Sequence, residues 1–435
     1  MADPSTPRWS AVVRPLASAR SLRLVLGLVL LVLLSLVSLL LHPAHTNGEN
    51  VTTTSVRSLA CPSLNASATL VAGSSTAPFG LTALGGTPAS VSGLVQRDAA
   101  KKSWLLQPSG ADQPVGGILA RGSQWAWAAC AAASANSYVN VPDLSTADLL
   151  LVNPDPVSVA VNLTFYTNTG VRSVAGARGL VVQPQSSRVV PLSVVAGSGA
   201  AGVGVSTDSG RVLALARPIT SSSFGAQSAQ TPQLVTSIPA VPKGAAKVRV
   251  MVTNPGTRDA TANVAGLTRT GRINLAGAQQ VTVPAQQTVS LDISKPVSGD
   301  EMGLEVSSDQ PLVASAQVGD KSGLQLSAAP VLPQLNAVVP TDASLYVLNP
   351  GTTSATVQVS LTPGSGSPAV TSRVIPPGAL AVISLEKQTV LHLSSSRPVS
   401  AAVGMLSNNK VAVMAAASEA SSTGSISLAI NPSLH

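Results

Sequence analysis

The chain has 435 residues, of which 45% are hydrophobic but only 2% aromatic and 10% charged, with a formal net charge of +8. Disordered chains are rich in charge and poor in Val and Leu, and helical proteins carry many Glu, Lys and Arg on their wet faces, so this composition excludes both. Few charges with abundant Val, Thr and Ser is the composition of strands whose outward positions hold small polar residues.

The first element is the run Leu24 to Leu41, LVLGLVLLVLLSLVSLLL, which carries no charge. As a helix at 1.5 Å per residue it spans roughly 27 Å, close to the hydrocarbon thickness of a bilayer. The following His42, Pro43, Ala44 and His45 match a cleavage site poorly, so the run reads as an uncleaved transmembrane signal anchor. Arg8, Arg14, Arg20 and Arg23 precede it and no basic residue follows closely, which places residues 1–23 in the cytoplasm. The expected location is therefore the plasma membrane, single-pass, with a short linker at 42–50 and a C-terminal ectodomain outside. Beyond the four arginines and Asp3, 22 basic residues face 17 acidic ones, too dilute an excess for nucleic acid.

Residues 51–148 hold both cysteines, Cys61 and Cys130, and three of the four tryptophans, Trp104, Trp125 and Trp127. Two thiols on the outer side most simply pair, and closing a loop of about 70 residues would contribute ~4 kcal/mol. The later part of this region resembles the end of the repeats that follow, so it reads as a divergent first copy.

Three clearer copies are expected at 149–245, 246–343 and 344–435. Their openings, LLLVNPDPVSVAVNLTFYTNTG, VRVMVTNPGTRDATANVAGLTRTG and SLYVLNPGTTSATVQVSLTPGSG, share a strand, an Asn-Pro turn at Asn153, Asn254 or Asn349, and a second strand. Pro184, Pro284 and Pro376 mark the next turn of each. Alternation predicts that Val157, Val159, Val161, Leu163 and Phe165 share one face. About seven short strands per copy, with turns every 8–12 residues, predicts an all-β chain of tandem Ig-like β-sandwich repeats. A β-propeller with two four-stranded blades per copy is the alternative.

The anchor, the Cys61-Pro62 dipeptide, the second cysteine shortly after Trp127 and the L-x-Asn-Pro strands together resemble an uncharacterised family of actinobacterial secreted or single-pass envelope proteins. The segment SYVNVPDLS stands where that family has a Gly-rich stretch. The resemblance implies location and fold, and transfers no catalytic residue.

No motif proposes chemistry. Gly197-Ser-Gly199-Ala-Ala-Gly202 matches G-x-G-x-x-G, but a strand pattern follows where a dinucleotide site needs a helix. His392 sits in a strand pattern, and His42, His45 and His435 are terminal or juxtamembrane, so no base–nucleophile system is indicated. Asp208 and Asp309 occupy equivalent turns, with Ser396 in the third copy, and read as turn chemistry. The expectation is a non-catalytic protein with no cofactor and no metal. Two features suggest binding. Lys243, Lys247, Arg249, Arg258, Arg269 and Arg272 form a basic stretch suited to an anionic envelope polymer or lipid surface. The tryptophans could stack on sugar rings or anchor a partner. The expected partner is a membrane enzyme of envelope-polymer synthesis or the polymer itself; a glycan-binding module is the alternative.

Overall fold

The computed structural model describes residues 58–418, except 65–66, 76, 110–111, 122–124, 220–224, 246, 296, 298, 320–322, 364–366 and 408–409, together with positions 29 and 32 and the paired strands Asn50–Ser55 and Ser422–Ser427. The predicted anchor Leu24 to Leu41 lies outside the described residues apart from Val29 and Val32, which are helical. Among the described residues no helix is long and apolar enough to cross a membrane. The chain is nearly all β, as its composition predicts.

The Asn-Pro motifs show how the sequence sets the strands. Ala147–Asn153, Val248–Asn254 and Ala343–Asn349 each end on the motif asparagine, and all three side chains are fully buried. The Asn254 amide donates to the carbonyls of Arg258 (2.8 Å) and Val283 (3.0 Å), while its Oδ1 accepts from Gly256 N (2.9 Å). Asn153 bonds Val157, Val182 and Gln183 carbonyls and Asp155 N in the same way. Asn349 bonds the carbonyls of Thr353, Ile375 and Pro376, and Gly351 N. One side chain thus satisfies backbone groups that a buried turn would leave unpaired. The alternation holds after the turn: Val159, Val161, Leu163 and Phe165 are buried. Val157 departs from it, being 58% exposed because it precedes the strand Val159–Thr167.

Strand pairing defines four modules, at 59–132, 136–230, 233–329 and 332–418, each with two sheets. In the third module the first sheet holds Gln233–Val241, residues 302–308, Ala260–Thr268 and the hairpin strand Gly271–Asn274. The second holds Gln287–Asp292, Val248–Asn254, residues 313–318 and Leu324–Leu326. The single strand Met302–Val318 serves both. The chain shuttles between the sheets, and Val248, Val250 and Val252 meet Ala260, Ala262 and Val264 in one core. The pairing places Gln233–Val241, read as the end of one repeat, with the following module; the strands Asn136–Val141 and Leu332–Val339 behave likewise. The second, third and fourth modules therefore open about a dozen residues before their expected boundaries.

The second face of each second sheet is also covered. In the second module Leu149 and Leu151 point into the module core, whereas Leu150, Val152, Leu213 and Leu215 pack into the core of the first module. Between the third and second modules the contact is polar: Asn140 donates to the carbonyls of Met251 (3.1 Å) and Val313 (3.3 Å) and accepts from Thr253 (2.7 Å). A Cβ on Gly202 would lie 2.3 Å from Thr253 Oγ1, so this approach requires glycine. Between the fourth and third, Leu348 and Leu380 meet Ala265 and Leu267.

The same rule joins the ends. Val71, Val115, Leu119 and Trp127 of the first module's second sheet pack into the core of the fourth module, and a Cβ on Gly73 would lie 2.4 Å from Val390. Each second sheet thus packs on the module before it, and the first packs on the last. The eight sheets form a closed cycle of face-to-face contacts.

Candidate functional site

Cys61 and Cys130 form the expected disulfide, across 69 residues. Both are buried, and they join the two sheets of the first module: Cys61 ends Leu59–Cys61, and Cys130 follows Trp125–Ala129. The tryptophans do not make an open stacking platform. Trp127 is 3% exposed and wedged over Gly117, where a Cβ would meet its Nε1 at 2.5 Å. Trp104 packs partly buried against the first core. Trp125 shares the Trp127 side of the strand and lies under the Arg121 guanidinium, 5.8 Å from the ring centroid. The indole N–H groups of Trp104 and Trp127 are buried without a partner.

The six basic residues do not gather into one patch. Arg272 is bidentate to Glu305 (2.6 and 2.9 Å) and reaches the Pro350 carbonyl (3.1 Å), bracing the joint to the fourth module. Arg269 pairs with Glu301, and Lys243 lies 3.8 Å from Asp300. Burial pulls the Glu301 carboxyl up, but a backbone hydrogen bond and the charges of Arg269 and Lys243 outweigh it and hold it below the ordinary range. Arg258 donates to Gln310. Arg249 lies by Asp292, and Lys247 is exposed on the same side. Four of the six cations thus lie beside carboxylates, which removes most of the field an anionic polymer would meet.

The remaining motifs take structural roles. Leu192–Ala196 is a short helix, and the glycine run turns the chain into the strand Ala201–Thr207, as its pattern predicts. Asp309 accepts from Thr261 N and Ser396 from Thr356 N; both lie within the long strands Met302–Val318 and Thr389–Ser407, where turns were expected, because one continuous strand serves both sheets of its module. His392 Nδ1 lies 2.8 Å from Asn336 Oδ1. Asp148, buried, pairs with Arg217 at 2.8 Å, and Arg217 also donates to the Ser63 carbonyl, clipping the second module to the first. Among the described residues no group of His, Cys, Asp or Glu is placed to hold a metal.

Two concavities emerge that no motif announces. On the axis, where all four modules meet, lies a cavity of about 360 Å³. Its wall comes from Trp127 and Ala131, from Ala229, from Ala240 and Ala328, and from Met414 and its neighbours, and 11 of its 23 lining residues are alanine. The second is a polar cleft along the seam between the first and fourth modules. Its two adjoining parts, about 280 and 420 Å³, share Gln96, Thr341 and Gln388, with Asp98 and Arg121 in one of them. The Gln388 Nε2 is buried there without a partner.

No curated protein matches the chain. A solved "tetra-tandem repeat in extending region of large adhesion protein" is 12% identical over 86% of this chain and 98% of that one, with a TM-score of 0.10. Residues 125–337 match the model of a family of unknown function (DUF5719).

Proposed function

We propose that the chain is a membrane-anchored, extracytoplasmic, non-catalytic protein of the cell envelope whose β body binds or positions an envelope partner. That partner is a membrane enzyme of envelope-polymer synthesis or the polymer itself. The observation that carries the location is the buried Cys61–Cys130 bridge, a bond that persists in oxidising compartments. The apolar run Leu24 to Leu41 and the four arginines before it support the anchor and its orientation. We read each module as an Ig-like pair of sheets, and the four together as a propeller-like cycle that presents its seams and axis rather than a row of free domains.

The test is topological. In intact cells, a membrane-impermeant maleimide labels a Lys387→Cys chain and leaves a Ser5→Cys chain unlabelled until the membrane is opened. The reverse pattern ends the reading.

A second reading, a glycan-binding module, is favoured by the seam cleft. Amides, hydroxyls, Asp98 and Arg121 suit sugar hydroxyls there, and Arg121 lies over Trp125. Titration of the chain with wall glycans quenches or shifts tryptophan emission if this holds, and Arg121→Ala weakens the response; an unchanged spectrum with every glycan excludes it.

A further inference from the structure

We infer that the axial cavity is a binding site for a single aliphatic chain, of the kind carried by a medium-length fatty acyl group. Protein interiors pack as densely as organic crystals. At this one place, where every module contributes an innermost strand, alanines stand in place of larger side chains and leave open space. The residues come from four distant parts of the sequence, Ala131, Ala229, Ala328 and Ala415 among them, so the space belongs to the closed cycle and not to one loose loop.

The wall selects the occupant. A buried water needs two to four polar partners, and this wall is mainly methyl groups. Of its polar residues, Ser327 already accepts from Ser228 N at 3.2 Å. Small-ligand pockets run from about 300 to 1,000 Å³ and are mostly apolar with a few polar groups; about 360 Å³ is at the small end of that range, room for one medium-length chain. No charged residue lines the cavity, so an ionic headgroup stays at its mouth.

The aliphatic chain has two sources, a free fatty acid or a bilayer lipid, and only the second rests on the membrane reading above. Trp127 makes the test direct, because bromine quenches indole emission at contact range. The full chain in nanodiscs is titrated with 11-bromoundecanoate, and separately placed in nanodiscs of brominated phosphatidylcholine. Saturable quenching by either supports the site and names the source. Ala328→Phe and Ala131→Phe fill the space and reduce the saturable quenching at least fivefold, with near-ultraviolet dichroism unchanged as proof of folding. Trp127→Phe removes most of the signal. Absence of saturable quenching in both arms overturns the proposal, as does equal quenching in a folded filled variant. A failed proposal leaves the topological labelling result standing, so the two readings fail separately.

Discussion

The first module and the three after it hold the same two-sheet design together by different means. In the second, third and fourth, a buried asparagine clips the turn after the opening strand of the second sheet. The first has no Asn-Pro turn; there a covalent bridge joins its two sheets directly. The contrast teaches that the clip is local, since it satisfies carbonyls within its own module, whereas the bridge removes freedom from 69 residues of unfolded chain. The first module is also the one that must meet the fourth to close the cycle, through Trp127, Leu119 and Val115.

The largest test of this contrast is to remove the bridge. Cys61→Ala with Cys130→Ala costs about 4 kcal/mol in the chain-entropy account, read as a lower denaturation midpoint with a steeper denaturant slope, since the unbridged unfolded chain is more expanded. A loss under about 1 kcal/mol would show that packing alone fixes the first module. Next, Asn254→Ala strands the Arg258 and Val283 carbonyls and the Gly256 amide and costs about 2–3 kcal/mol. Asn153→Ala and Asn349→Ala cost similar amounts, and a wide spread among the three would break the equivalence.

A smaller effect comes from pH. Burial, with Tyr138 beside it, pushes the Tyr166 phenol up to about 12. The folded form then keeps a proton that the unfolded form sheds near pH 10, so this contribution is intact below pH 10 and lost as pH rises toward 12. Tyr166→Phe flattens that alkaline decline without changing stability at neutral pH by more than a few tenths of a kcal/mol. The smallest effect is a gain. Gln185, Gln286 and Gly378 hold the same turn with φ of 45°, 56° and 63°. Only the last is a residue suited to that region, so Gln286→Gly stabilises by about 0.5 kcal/mol once its extra unfolded-state freedom is counted.

Much of this was legible in the residues. Period-two alternation marked Val159 to Phe165, the Asn-Pro motifs marked the turns, and two cysteines on one side of an apolar run marked the bridge. The module boundaries were hidden because Gln233–Val241 finds its partner in 302–308, a pairing no local pattern signals. The closure was hidden for a second reason. The axis is built from segments such as KVAVMAAA, where alanine carries no periodic contrast between faces and reads as filler. The basic stretch failed as one surface because linear proximity puts Arg269 and Arg272 near Lys243 but cannot show Glu301 and Glu305 folding back on them.

The closed cycle itself is tested most directly by joining its ends. Gln96 and Thr341, both exposed, line the same seam from the first and fourth modules. With the native cysteines already bonded, a Gln96→Cys, Thr341→Cys chain treated with a short bifunctional maleimide should crosslink within one molecule, in high yield and independently of protein concentration. Modules strung out in a row would keep these positions apart, and a chain that crosslinks only between molecules, or not at all, would contradict the account.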